Sequence, residues 1–319
     1  MSITIGELKN LLQTASDDTD ISDLLPKQVT VITPEMPTQA PMPSGVCVQI
    51  RHGVNIGDLI SAMGCIKKYY AVTKRKAIVL QTCNGLAQYY AGAVHPVTDE
   101  YGRQVTCNQY MFDMAKPLIE SQDYVERMEV YSGQRIDVDF DVIRGKTFVN
   151  MPHGTIQGWL PIAFPDLSFD ISKPWIELRD ECPTKIRGQV AGKVILNFTE
   201  RYRMKIDYFF LQQYAPDLIF AGTEGEYAQF CNQWGLTIPR LDVGNFLELA
   251  YALKECRFLL SNQSMCWNLA QAMGVKRVLE MCSYADNCFP NIGEGSEGGF
   301  YQLNIEYHFR TMYNQTFGK

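Results

Sequence analysis

Two stretches of the second half decide the fold: IFAGTEGEYAQFCNQWG, residues 219–235, and NFLELAYALKECRFLLSNQSMCWNLAQAMGVKRVLEM, residues 245–281. In the first, a short apolar run from Asp217 to Ala221 stops at a Gly222-Thr223 turn and hands over to helical spacing from Glu224 to Trp234. In the second, Asn245 is placed to cap a helix over Phe246 to Glu255. A strand over Arg257 to Leu260, a helix over Ser264 to Met273 and a strand over Arg277 to Met281 follow. Upstream, Lys193 to Phe198 (KVILNF) reads as a strand and Ile206 to Tyr214 as a helix. Strands and helices that alternate across tight glycine turns predict a parallel, doubly wound sheet, and the handedness of the crossovers leaves few other topologies.

The first half repeats the pattern. Val46 to Ile50 is a strand-type run, RHGVNIGD a glycine-bearing loop, and Asp58 to Tyr70 an amphipathic helix with Leu59, Met63 and Ile66 on one face. Ala77 to Leu80 is the next strand, which completes a βαβ unit. A helix over Met111 to Ile119 and a strand over Val125 to Tyr131 continue it. Between the halves, the prolines 152, 161, 165, 174 and 183 argue against long regular elements from about Asn150 to Pro183. Ahead of everything lie a helical segment, Ile5 to Leu12, and a proline-rich connector, TPEMPTQAPMPSG. The tail from Asn304 to Phe317 reads as a last helix.

Bulk properties narrow the functional classes. A chain of 319 residues holds two ordinary domains, and 46% hydrophobic residues supply their cores. A net charge of −6 is not the footprint of a general nucleic-acid binder. The ten cysteines show no C-x-x-C spacing. With no basic leader or membrane-length apolar run in view, they read as reduced thiols of a cytoplasmic protein.

The ordered set of motifs resembles the heptosyltransferase-like family 9 glycosyltransferases. The resemblance rests on NIGDLISAMGCIKKYY (55–70), KVILNFTERYRMK (193–205), the glycine turn at 222, and Asn262-Gln263-Ser264-Met265-Cys266-Trp267-Asn268, which stands where the family has Asn-Asp-Ser-Gly-Pro-Met-His. It covers most of residues 46–285. It implies a GT-B fold, two Rossmann-like doubly wound domains facing a cleft, here with an N-terminal arm. The expected divisions are 1–44 for the arm and connector, 45–175 for an acceptor domain, 176–300 for a donor domain, and 301–319 for a helix returning to the N-terminal domain. Gln263, Met265 and Asn268 replace the family's aspartate, glycine and histidine, so an ADP-heptose donor does not follow.

The candidate site residues fall into three groups. Asp58 is either a helix cap or, as the resemblance implies, the base that deprotonates an acceptor hydroxyl. His52 is a second candidate base. Arg51, Asn55 and His153 are candidate acceptor contacts. On the donor side, Asn262, Gln263 and Ser264 open a helix whose N-terminus suits a diphosphate. Thr199, Arg201, Arg203 and Lys205 supply cations after a strand, and Gly222, Thr223 and Glu224 offer close approach and a carboxylate for ribose hydroxyls. Asp137, Asp139 and Asp141 mimic a metal motif but read as an edge or turn, so no metal site is expected. The glycine-rich segment 293–299 follows no predicted strand and reads as a flexible loop or lid.

The expected activity is sugar transfer from a nucleotide diphosphate sugar to a hydroxyl acceptor, with the donor as co-substrate, no tightly bound cofactor, no essential metal and inversion of the anomeric centre. The acceptor is a glycan or a hydroxymethylated base in DNA. The second would need a basic groove, for which Lys67, Lys68, Lys74, Arg75 and Lys76 form the dense cluster. The alternatives are a non-catalytic nucleotide- or glycan-binding protein on the same scaffold and a sugar-nucleotide epimerase. Oligomeric state is not legible.

Overall fold

Parallel strands covered on both faces must be apolar along their whole length, and that requirement builds both sheets of this protein. The computed structural model describes residues 47–87, 97–144, 156–283, 285 and 293–318. The N-terminal arm and its connector lie outside them, as does His153. In the first half the chain runs through β1 (Val48–His52), α1 (Ile56–Thr73), β2 (Ala77–Gln81), α2 (Gln109–Glu120), β3 (Val125–Val130) and β4 (Val138–Asp139). Short helical turns follow, including α3 (Trp159–Ala163). The second half contains α4 (Thr184–Val190), β5 (Val194–Asn197), β6 (Leu218–Phe220), α5 (Glu224–Trp234), α6 (Phe246–Glu255), β7 (Leu259–Asn262), α7 (Met265–Met273), β8 (Arg277–Glu280), β9 (Ser296–Gly299) and α8 (Gln302–Phe317).

The strand order is β3-β2-β1-β4 in the first sheet and β6-β5-β7-β8-β9 in the second, and every pairing is parallel. β2, β5, β7 and β8 are buried at every position. Each order reverses direction once, beside β1 in the first sheet and between β5 and β7 in the second. Loops on the two sides of such a point diverge and leave a crevice at the carboxyl ends of the strands.

The two halves share a core. One continuous cluster joins Val48, Ile50 and Val79 of the first sheet to Ile195, Ile219 and Leu259 of the second through α1, α6 and α7. A second cluster, on the far face of the second sheet, packs Phe198, Tyr208, Phe230 and Trp234 with Phe258 and the α8 stripe Ile305, Phe309, Met312 and Tyr313. Helix α1 packs directly on α7. Gly57 permits the approach, because a Cβ there would lie 2.9 Å from Asn268 Nδ2 and 3.4 Å from Met265 Cα. Around the crossing, Ser61 Oγ and Gln157 Nε2 each donate to Asn268 Oδ1 at 3.3 Å. Trp175 is buried and donates from Nε1 to Ile60 O at 2.8 Å.

Three expectations are corrected. Ser296–Gly299 is a fifth strand, parallel to β8, and not a free loop or lid. Its glycines follow from crowding, since a Cβ on Gly298 would meet Leu279 O at 2.8 Å. The helix expected from Ile206 to Tyr214 is a run of 3-10 turns, Phe209–Asp217, with Pro216 inside it. The terminal helix packs on the second sheet and does not return to the first half, because its apolar stripe meets Val194, Leu196 and Phe258. The acidic run forms the edge strand of the first sheet and the turn after it. Val138–Asp139 pairs with β1, and Asp137 Oδ2 accepts the Gln49 amide at 3.0 Å. Among the described residues no helix is long and apolar enough to cross a membrane.

Candidate functional site

A cleft of about 800 Å3 opens where the strand orders reverse, lined by both halves. Two strand-to-helix corners, β1 into α1 and β7 into α7, meet in its wall.

At the first corner the loop after β1 is clasped from behind. Gly53 N–H donates to Asp141 Oδ1 at 2.6 Å, and a Cβ at Gly53 would collide with that carboxylate. Gln81 Nε2 donates to Val54 O at 2.8 Å, and Thr106 Oγ1 to Gly53 O at 3.3 Å. Asn55 is the N-cap of α1 without a side-chain bond to the helix. Asp58 therefore sits in the first turn and is not the cap itself, and its carboxylate lines the cleft. An acid in that position also complements the helix dipole.

The other expected residues of this corner serve its architecture. Arg51 pairs with Asp139 at 2.7 Å and with Asp141 at 3.3 Å. Burial opposes the Arg51 charge, but Asp139 and then Asp141 outweigh it and raise its pKa above the ordinary guanidinium value. His52 is buried and shares a hydrogen bond between Nδ1 and Gln81 Oε1 at 3.0 Å. Neither Arg51 nor His52 lines the cleft. Among the described residues no cluster of histidine, cysteine and carboxylate side chains could hold a metal.

The second corner is stitched by amide side chains. Asn262, fully buried, accepts from Thr199 N at 3.0 Å and donates from Nδ2 to Thr199 O at 3.0 Å and Arg201 O at 2.6 Å. Asn197 donates to Ala221 O at 2.6 Å and accepts from Ser264 Oγ at 2.6 Å. Ser264 caps α7 by accepting from Trp267 N at 3.2 Å. Gln263 is buried and accepts the Cys282 amide at 2.9 Å. The loops after β5, β6 and β7 are thereby fixed to one another, with Thr199, Arg201, Gly222, Thr223, Gln263 and Ser264 all on the cleft wall.

Four expected donor residues, Arg203, Lys205, Glu224 and Asn262, do not line the cleft. Arg203 pairs with Glu280 at 3.1 Å and stacks over Phe198 at 4.9 Å. Burial pushes the Glu280 carboxyl above its ordinary range, and Arg203, Tyr208 and the Met204 amide offset it only in part. Neither Arg203 nor the exposed Lys205 lines the cleft. Asn262 acts from behind the wall. The carboxylate beside Gly222 belongs to Glu226 and not to Glu224, because Thr223 and Glu226 form a reciprocal capping box.

Two contributors escaped the sequence. Arg240 donates to Gly222 O at 3.4 Å from a segment that continues the sheet beyond β6, where Phe220 N bonds to Pro239 O at 2.9 Å. Its signal is the single cation in the loop before the Asn245 cap. Asn197 was hidden as the last residue of an apolar strand; a polar residue closing such a run at the carboxyl edge is the signal for it.

Two parallel doubly wound halves with strand-to-helix corners at their switch points define the GT-B class. A glycosyl transferase of family 9 from Veillonella parvula DSM 2008 has the same fold, with a TM-score of 0.52 over 88% of this chain and 97% of that one at 8% identity. E. coli ADP-heptose lps heptosyltransferase II reaches 0.48 over 85% and 99% at 9% identity. E. coli heptosyltransferase WaaC with ADP reaches 0.45 over 73% and 87% at 9% identity. No sequence-family model matches the chain, and no curated protein matches it in sequence. The chain is thus a distant structural relative, in fold, of the family 9 glycosyltransferases.

Proposed function

We propose that this protein transfers a sugar from a nucleotide diphosphate sugar to a hydroxyl acceptor. The observation that carries the reading is that Asp58 and the Ser264 end of α7 line one cleft. The amides that open α7 and the Arg201 guanidinium offer positive potential to a diphosphate. Gly222, Thr223 and Glu226 lie where a ribose would follow. The Asp58 carboxylate takes the proton of the acceptor hydroxyl as its oxygen bonds to the anomeric carbon. The bond from that carbon to the diphosphate oxygen breaks, and the nucleoside diphosphate leaves with both electrons. Attack from the face opposite the leaving group inverts the centre. The likeness in fold supports this reading, and donor sugar and base stay open to a panel.

The test is titration of nucleoside diphosphates followed by turnover with donor sugars. Ser264→Ala and Arg201→Ala are expected to weaken nucleotide binding, and Asp58→Asn to stop transfer while sparing it. Nucleotide binding with no turnover on any acceptor would identify a binding module. Free-sugar epimerisation would identify an epimerase.

A further inference from the structure

The first-half wall of the cleft carries carboxylates and no cation, whereas on the second-half wall Arg201 and Arg240 are balanced by Glu226 and Asp242. The first-half wall presents the carboxylates of Asp58 and Asp141 among Leu86, Tyr110, Met111 and Met114. Asp141 cannot turn aside for an incoming anion, since Gly53 N–H and Arg51 hold it at 2.6 and 3.3 Å. That arginine also serves Asp139, so the cluster of one cation and two carboxylates keeps a net negative charge. Tyr110 and Leu86 are 67% and 61% exposed. Tyr110 and Met114 stand one turn apart on α2 and share a face. Apolar side chains left uncovered at a cleft mouth mark a surface that a ligand covers.

Resting on the sugar-transfer reading, we propose that the acceptor is an uncharged hydroxyl compound with an apolar or aromatic face, such as a neutral aryl glycoside. A tyrosine ring and two thioethers cover such a face well, and the two carboxylates repel an anion brought against them. A polyanionic acceptor such as DNA would need the basic cluster at the end of α1. That end lies roughly 27 Å from the cleft along an 18-residue helix. There Lys67 pairs with Glu177 at 2.6 Å and Lys76 with Glu126 at 3.7 Å.

The experiment titrates the full chain with phenyl β-glucoside, phenyl β-glucuronide and a short DNA duplex, after nucleoside diphosphate binding has been measured on the same sample. The glucoside is expected to bind about tenfold tighter than the glucuronide, with the gap narrowing as salt is raised. Tyr110→Ser, at an exposed site, should keep the melting temperature and weaken glucoside binding about fivefold. Glucuronide or DNA binding as tightly as the glucoside overturns the inference, as does a glucoside that does not bind or that ignores Tyr110→Ser. If nucleoside diphosphate itself fails to bind, the sugar-transfer reading falls and this inference with it. If it binds while the anion wins, the inference alone falls.

Discussion

The corner after β1 and the corner after β7 are built from the same parts and braced in opposite ways. In the first, the loop backbone is gripped by charged groups from a neighbouring strand: Asp141 holds the Gly53 amide, and Arg51 ties Asp139 and Asp141 together. In the second, neutral amides do the work, with Asn262 and Asn197 fastening three loops. One first turn carries an acid, Asp58; the other, opened by Ser264, carries none. An acid in one first turn and none in the other suits a proton acceptor beside the helix start that would seat an anion.

The sharpest test separates the corners by function. Asp58→Asn should cut turnover by roughly 10²–10⁴-fold while nucleoside diphosphate affinity, read by calorimetry, stays near that of the unaltered chain. A parallel loss of affinity would break the division of labour. Next in size, Asn262→Ala strips the brace from the second corner and leaves the Thr199 amide and two carbonyls without their partner. Urea unfolding should show a loss of roughly 2 kcal/mol, with weaker nucleotide binding. If stability falls and affinity does not, the amide brace holds the fold and not the site.

A smaller effect is expected where the corners touch. Gly57→Ala places a methyl against Asn268 and Met265, and overpacking partly offset by better helix propensity should cost about 1 kcal/mol. The smallest is a slope. Glu280 is buried and holds its proton more tightly in the folded chain than in the unfolded one. Stability should therefore decline as pH rises from the ordinary carboxylate range through the raised folded value. Glu280→Gln should flatten that decline in urea melts taken at stepped pH. A slope unchanged by the substitution would show that Glu280 is as easily ionised folded as unfolded.

The strands that were legible, such as Ala77–Gln81 and Leu259–Asn262, are those whose surroundings demand apolar residues throughout. Ser296–Gly299 was not, because its pairing comes from a neighbouring strand and not from its own propensity. Capping chemistry is local, so Asn245 and Ser264 could be placed at their helix starts from the chain alone. Which carboxylate faces a cleft is not local. Glu226 takes that place because its side chain folds back on Thr223, and Arg203 is drawn away by a glutamate far along the chain.

The shared core has a consequence for anyone who would cut this protein in two. Ile60 and Trp175, at the seam, are sealed only when both sheets are present. Either fragment made alone would bare a broad greasy surface, and chimaeras that exchange halves with a distant cousin would have to repack that seam before they could fold. Residues 47–318 should melt in a single step.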